Sequence, residues 1–146
     1  MAMVKSRPVS VIEKLIRWLP ALAMMTAIFV LSALPASMVP TFGVYDVYFK
    51  KLGHAIGYGM LGVAYYYALP IGLPRLVRWS MAFGLSVGFA VSDEFHQSFV
   101  NGRTASIRDV AIDGLGAFLA LFLAAGYSSS IIPRSRSKTL PSSTPD

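Results

Sequence analysis

Cysteine is absent from this chain of 146 residues, and charged residues are scarce at 14%. Without cysteine the protein can form no disulfide, no cysteine-ligated zinc site and no thiol nucleophile. Soluble domains carry about a quarter charged residues, so this chain has too little polar surface to cover a water-soluble globule. The shortage of charge excludes an ordinary soluble domain and favours an integral membrane protein.

Apolar residues fill most of the sequence: 55% are hydrophobic, and the mean hydropathy is +0.58. A helix needs roughly 20 predominantly apolar residues to span a bilayer, and four runs approach this length. They predict helices at about 16–34, 50–70, 76–98 and 106–127. The predicted fold class is therefore all-α: an integral membrane four-helix bundle forming a single domain over residues 1–127. Residues 128–146 are rich in Ser, Pro and Thr, and we expect a disordered cytoplasmic tail there.

The basic residues orient this predicted bundle. Of the 13 basic residues, nine fall near the termini or between the second and third helices, namely Lys5, Arg7, Lys14, Arg17, Arg75, Arg78, Arg134, Arg136 and Lys138. The other side carries Lys50, Lys51, Arg103 and Arg108. The positive-inside rule then places both termini in the cytoplasm. Because this asymmetry accounts for the net charge of +6, we expect no nucleic-acid partner.

Three polar segments, distant in sequence, are predicted to meet at the outer face. They comprise Lys51 and His54 in the second helix, the stretch from Asp93 to Arg103, and Asp109 with Asp113 in the fourth helix. Lys51 shares a helix face with His54, and Asp109 shares one with Asp113, because residues three or four apart are neighbours on a helix. Ionisable groups at the membrane boundary are expensive and mark functional sites. Ser106 with Asp109 also matches a capping box.

Several chemistries suit this cluster. The candidate catalytic residues are His54, Asp93 and Glu94, with His54 or His96 as an imidazole that titrates near neutral pH. The candidate ligand-binding residues are Lys51, Gln97, Arg103, Asp109 and Asp113, with Arg103 suited to bidentate binding of phosphate. No H-E-x-x-H or comparable spacing is present, so neither a metal nor a cofactor is predicted. Internal pairing of the charges remains a structural alternative.

Glycines predict where the helices approach one another. Gly57, Gly59 and Gly62 lie in the second helix, and small residues let membrane helices pack closely. Gly84 and Gly88, four residues apart in the third helix, give a second signal of the same kind.

The ordered motifs resemble the VanZ-like family of small bacterial membrane proteins, named for a factor in glycopeptide (teicoplanin) resistance. The resemblance runs from Lys50 to Gly116 and rests on Lys51-x-x-His54, Asp93-Glu94-x-x-Gln97-x-Phe99, Gly102-Arg103, Ser106-x-x-Asp109 and Gly114-x-Gly116. Two positions depart from the family pattern: Asn101, where proline is common, and Asp113, where asparagine is usual.

The resemblance implies a multi-pass protein of the bacterial plasma (inner) membrane. Three functional classes remain open at this point. The first is an envelope protein whose outward-facing pocket recognises an anionic lipid or a lipid-linked cell-wall precursor, with a link to teicoplanin resistance. The second is a hydrolase or transferase acting on such a lipid, and the third is an assembly subunit.

Overall fold

The structure, a computed structural model, describes residues 10–131, with side chains described up to residue 125. These residues form four α-helices and no strand, which confirms the all-α prediction. The helices are α1 (Val11–Ser32), α2 (Asp46–Ala68), α3 (Arg75–Gln97) and α4 (Ile107–Ile131). Two short 3-10 helices, Ala36–Met38 and Gly43–Tyr45, lie in the connection between α1 and α2.

The first helix begins at Val11, about five residues before its predicted start at 16. A capping box accounts for the difference: the Ser10 hydroxyl accepts from the Glu13 amide, and the Glu13 carboxylate accepts from the Ser10 amide. This S-x-x-E pattern satisfies two amide donors that a helix start leaves unpaired. Glu13 and Lys14, whose charges led to the later predicted start, thus belong to the first turns of α1.

The fourth helix continues to Ile131, past its predicted end at 127. The run of serines after Tyr127 suggested a break, but serine ranks only in the middle of the helix propensity scale and does not terminate a helix. Of the predicted tail at 128–146, the first four residues therefore belong to α4. The remainder lies outside the described residues.

Close contact between α2 and α4 holds the bundle together, and glycine makes it possible. A Cβ at Gly116 would lie 2.1 Å from the carbonyl oxygen of Ala55, and one at Gly59 would lie 3.1 Å from the Cβ of Ala120. The expected close approach at Gly59 is confirmed. The same expectation is wrong for Gly84 and Gly88, because a Cβ at either meets nothing within 4 Å among the described residues.

The helices alternate in direction, which collects four helix ends at each end of the bundle. At one end, here called the polar end, α1 and α3 finish and α2 and α4 begin. A hydrogen bond from the Ala36 amide to the Asn101 carbonyl, at 3.2 Å, ties the two connections there together. Gly102 in the second connection has φ of +77°, a conformation that favours glycine.

Polarity is inverted relative to a soluble protein. The buried polar residues are Ser32, Ser86, Asp93, Glu94, Gln97 and Asp113, while large apolar side chains such as Leu15, Met60, Leu85 and Phe122 are exposed on all four helices. By length and hydropathy, α1 is the one described helix that could cross a membrane. The charged residues of α2, α3 and α4 at the polar end lower the hydropathy of those helices.

Candidate functional site

A polar cavity of about 170 Å³ opens at the polar end, between α2, α3 and α4. Its wall is formed by Val47, Lys50, Lys51, His54, Glu94, Gln97, Arg103, Asp109, Ile112 and Asp113. Seven of the eight residues proposed from sequence lie in this wall. The exception is Asp93, which is 2% exposed and lies behind Gln97. The roles of all eight remain predictions.

Asp93 is part of a buried network that involves α1. The Ser32 hydroxyl donates to Asp93 Oδ2 at 2.7 Å, and Gln97 Nε2 donates to the same oxygen at 3.0 Å. The other carboxyl oxygen, Oδ1, has no hydrogen-bond partner among the described residues, and neither does the buried Tyr58 hydroxyl. Asp93 therefore positions Gln97 and does not itself reach the cavity.

Arg103 joins the polar cavity to the end of α1. Its Nε donates to the Leu34 carbonyl and its Nη2 to the Leu31 carbonyl, each at 3.1 Å. Its Nη1 donates to Gln97 Oε1 at 3.0 Å. Carbonyls at a helix C-terminus lack intrahelical partners and carry partial negative charge, so a cation there is favourable. Arg103 thus caps α1, and Gln97 links it to Asp93.

The two lysines of α2 have different carboxylate partners. Lys51 pairs with Asp109 across the gap between α2 and α4. Lys50 pairs with Asp46 one turn earlier, at 2.6 Å. Both lysines are about one-third exposed, with side-chain exposures of 35% and 37%, so each ammonium remains accessible from the cavity.

His54 faces Asp113, and the two side chains connect α2 with α4. His54 Nδ1 lies 3.8 Å from Asp113 Oδ2. The carboxyl is buried at 2% side-chain exposure, while the imidazole keeps 30%. An aspartate that faces one ring nitrogen orients the imidazole and leaves the other nitrogen for a ligand or a proton.

Glu94 caps the N-terminus of α4. Its Oε2 accepts from the Ser106 amide at 2.8 Å, where the helix macrodipole favours a negative group. The capping box expected from Ser106 and Asp109 is wrong, because Asp109 turns to Lys51 and a residue of α3 supplies the carboxylate. A long-range cap of this kind leaves no local sequence signal.

His96, the alternative to His54 as the imidazole of the site, does not line the cavity. Its ring stacks on Phe29 of α1 with centroids 4.3 Å apart. Because the His96 side chain packs against Phe29 of α1, it does not turn toward the cavity between α2, α3 and α4. Among residues 10–131, no group of three or more His, Asp or Glu side chains is arranged to hold a metal ion.

Sequence reasoning missed three contributions to this site. Ser32 was hidden because it reads as a small residue closing an apolar helix. Lys50 was passed over for its neighbour Lys51, although both line the cavity. The carbonyls of Leu31 and Leu34 carry no side-chain signal at all. The hydroxyl of Ser32, at the end of an apolar run, was the sequence feature that could have indicated a role for α1.

A model of the VanZ/LLP1 family matches residues 7–129. No curated protein and no solved structure shows a significant match. Since the match covers α1, α2, α3, all but the last two residues of α4, and every residue of the polar cavity, the chain belongs to the VanZ/LLP1 family.

Proposed function

We propose that all four helices span a bilayer and that the polar cavity recognises an anionic group of an envelope lipid or a lipid-linked cell-wall precursor. Family membership favours a membrane protein, and α1 is apolar enough to span one. For α2, α3 and α4 the support is the inverted polarity. Six of their titratable side chains line one cavity, namely Lys50, Lys51, His54, Glu94, Asp109 and Asp113. Their outward faces expose large apolar side chains that need an apolar solvent.

The proposed orientation puts the polar end outside and both termini in the cytoplasm of a bacterial inner membrane. It rests on the sequence, in which nine of the 13 basic residues fall near the termini or between the second and third helices. Arg75 and Arg78, which begin α3, are two of the nine. Arg78 lies 4.2 Å from the centroid of the Tyr66 ring, an aromatic and a cation of the type that anchors a helix end at an interface.

The observation that carries anion recognition is the state of Arg103. A guanidinium has five N–H donors, and three are used on Leu31, Leu34 and Gln97. Two donors are left, and no carboxylate lies within 4.0 Å of Arg103 in the described part of the chain. Its charge is therefore not directly neutralised at a wall of the cavity. A phosphate or carboxylate oxygen is the natural partner for such donors.

The other charges of the cavity are already paired, which makes Arg103 distinctive. Lys51 faces Asp109, Lys50 faces Asp46, and His54 faces Asp113. Glu94 is compensated by the start of α4. An incoming anion would add to Arg103 and share the exposed ammonium of Lys51. A cavity of about 170 Å³ is small beside ordinary ligand pockets of about 300–1,000 Å³, so it suits a head group.

Lipid retention by the purified protein tests this proposal. We expect the protein to retain phosphatidylglycerol over phosphatidylcholine in native mass spectrometry, and Lys51→Gln to weaken this preference about fivefold, as for loss of one cation near anionic lipid. Lys14→Gln, an exposed lysine at the opposite end of α1, is the matched control. Equal retention of both lipids by the unaltered protein would contradict anion recognition.

The His54–Asp113 pair favours a second candidate, a hydrolase or transferase acting on such a lipid. With Nδ1 directed at Asp113, the other ring nitrogen can accept a proton from a water or hydroxyl nucleophile. Phosphatidylglycerol and undecaprenyl phosphate, incubated with the protein, would then yield products detectable by mass spectrometry. His54→Gln should abolish turnover while leaving lipid retention intact. Absence of products with either lipid would count for a binding protein or an assembly subunit.

The link to teicoplanin resistance is the broadest part of the proposal. It rests on family membership and on a site suited to envelope lipids. Expression in a susceptible Gram-positive host should raise the inhibitory concentration of teicoplanin, and Lys51→Gln should reduce that gain. An unchanged inhibitory concentration at verified expression would contradict the link.

A further inference from the structure

An apolar groove of about 540 Å³ runs between α1 and α2 beside the polar cavity. Here it is called the α1–α2 groove. Its apolar wall consists of Met24, Ala27, Ile28 and Leu31 of α1, Phe49, Gly53 and Gly57 of α2, and Leu34, Ala36, Val39 and Pro40 of the connection between them. Its volume falls within the range of about 300–1,000 Å³ usual for ligand pockets.

The groove and the polar cavity share part of their walls. Lys50, His54, Gln97 and Arg103 line both. The combined space has cationic and hydrogen-bonding groups at the polar end and hydrocarbon surface along the helices. That distribution matches an amphiphile with an anionic head.

Glycine keeps the groove open on the α2 side. A Cβ at Gly53 would meet none of the described residues within 4 Å, and one at Gly57 would lie 3.8 Å from the Ile28 side chain. Small residues four apart normally let two helices close together. Here α1 does not close over Gly53, so the gap widens toward the polar end, where Arg103 holds the end of α1.

We infer that the α1–α2 groove holds the hydrocarbon chain of the anionic lipid whose head group lies in the polar cavity, so that the lipid enters sideways between α1 and α2. This inference rests on the proposed function, from which it takes the head group. Two features of the groove favour a hydrocarbon chain attached to an anionic head group. The apolar wall favours a hydrocarbon chain, and the cations Lys50 and Arg103 stand where the chain would meet its head.

Filling the groove tests the inference. Gly53→Phe places a ring in open space, and Gly57→Leu reaches only the flexible Ile28 side chain, so neither should lower the melting temperature. Excluding about two methylene groups from the groove should weaken phosphatidylglycerol retention about tenfold. The matched control is Gly84→Phe, because Gly84 is an exposed helical glycine on α3 with nothing within 4 Å.

Native mass spectrometry of the full chain with phosphatidylglycerol gives the readout. The inference predicts weaker retention in Gly53→Phe and Gly57→Leu, and unchanged retention in Gly84→Phe. Equal retention by all three variants and the unaltered protein would overturn it, even if Lys51→Gln still removed the preference over phosphatidylcholine. If that preference is absent while groove filling still lowers retention of both lipids, the proposed head-group recognition fails and the groove remains the chain site.

Discussion

At the scale of single residues, Arg103 is the centre of the site, although its bonded partners differ from those its sequence context suggests. Among carboxylates and a Gly-Arg turn, a guanidinium is expected to pair with an acid. It instead bonds the Leu31 carbonyl of α1, the Leu34 carbonyl just after α1, and the side-chain amide of Gln97. Its nearest link to an acid runs through Gln97 to Asp93. The residue therefore combines a structural cap with donors left for a ligand.

Replacing Arg103 tests its structural role as the cap of α1. Arg103→Lys keeps the charge but cannot reproduce three separately directed hydrogen bonds. Bonds to charged groups contribute about 1.5–3 kcal/mol each, so the loss of one of the three lowers the free energy of unfolding by about 2 kcal/mol, seen as a lower melting temperature in detergent. Arg108→Lys, at an exposed position, is the control and should leave the melting temperature unchanged.

A second substitution tests whether Arg103 is needed to neutralise the acidic cluster. Because Asp109 pairs with Lys51, Asp109→Asn should not restore the stability lost in Arg103→Ala. Restoration would mean that Arg103 chiefly neutralises the acidic cluster, and the account of its partners would be wrong.

At the scale of helices, the contact of α2 with α4 sets the position of the site. Backbone contact at Gly116 brings the helices close enough for Lys51 to reach Asp109 and for His54 to face Asp113. The glycine spacing in α2 predicted such an approach but not its partner helix. Gly84 and Gly88 lie four residues apart in α3, a spacing typical of packed membrane helices, yet a Cβ at either meets no described residue within 4 Å. Spacing alone therefore does not identify a packed face.

This contrast gives a matched pair of substitutions. Gly116→Ala would place a methyl group 2.1 Å from the Ala55 carbonyl, forcing α2 and α4 apart. Overpacking of this kind costs about 1–3 kcal/mol or more, and we expect a clear fall in melting temperature. Gly84→Ala meets open space and should be neutral or slightly stabilising. Similar melting temperatures for the two variants would contradict the helix arrangement.

Periodicity and hydropathy predict much of this arrangement. Four apolar runs predict four helices, and the alternation of their directions predicts that Lys51, Glu94 and Asp109 share one end. The role of α1 could not be predicted, because its contribution is one serine hydroxyl and two backbone carbonyls. The inward burial of Asp93 was also hidden, since adjacent carboxylates at 93 and 94 face different neighbours on a helix.

At the scale of the whole molecule, the inverted polarity gives the proposal its physical basis. An exterior of large apolar side chains is unfavourable in water and favourable in a bilayer. The buried carboxylates face the interior of the bundle, which is where membrane proteins place ionisable groups. In the proposed orientation, which rests on the distribution of basic residues along the sequence, the polar cavity lies within reach of the outer leaflet.

The absence of cysteine makes this orientation simple to test. Asn101→Cys at the polar end should react with an impermeant maleimide added to intact cells, because the turn is exposed. Gly72→Cys, exposed in the turn between α2 and α3, should react only after the cells are opened. The reverse pattern would move the polar cavity to the cytoplasmic side.

The central claim is that an anionic head group lies in the polar cavity, and head-group crosslinking tests it most directly. Phosphatidylglycerol with a diazirine on its head group would be photolysed with the protein in nanodiscs, and the adducts mapped by mass spectrometry. The cavity wall contains Val47 and Ile112, where we predict the main adducts. Arg75 and Arg78 at the opposite end provide an internal comparison, because they are basic without lining the cavity. Adducts concentrated around Arg75 and Arg78, with none at Val47 or Ile112, would contradict the account.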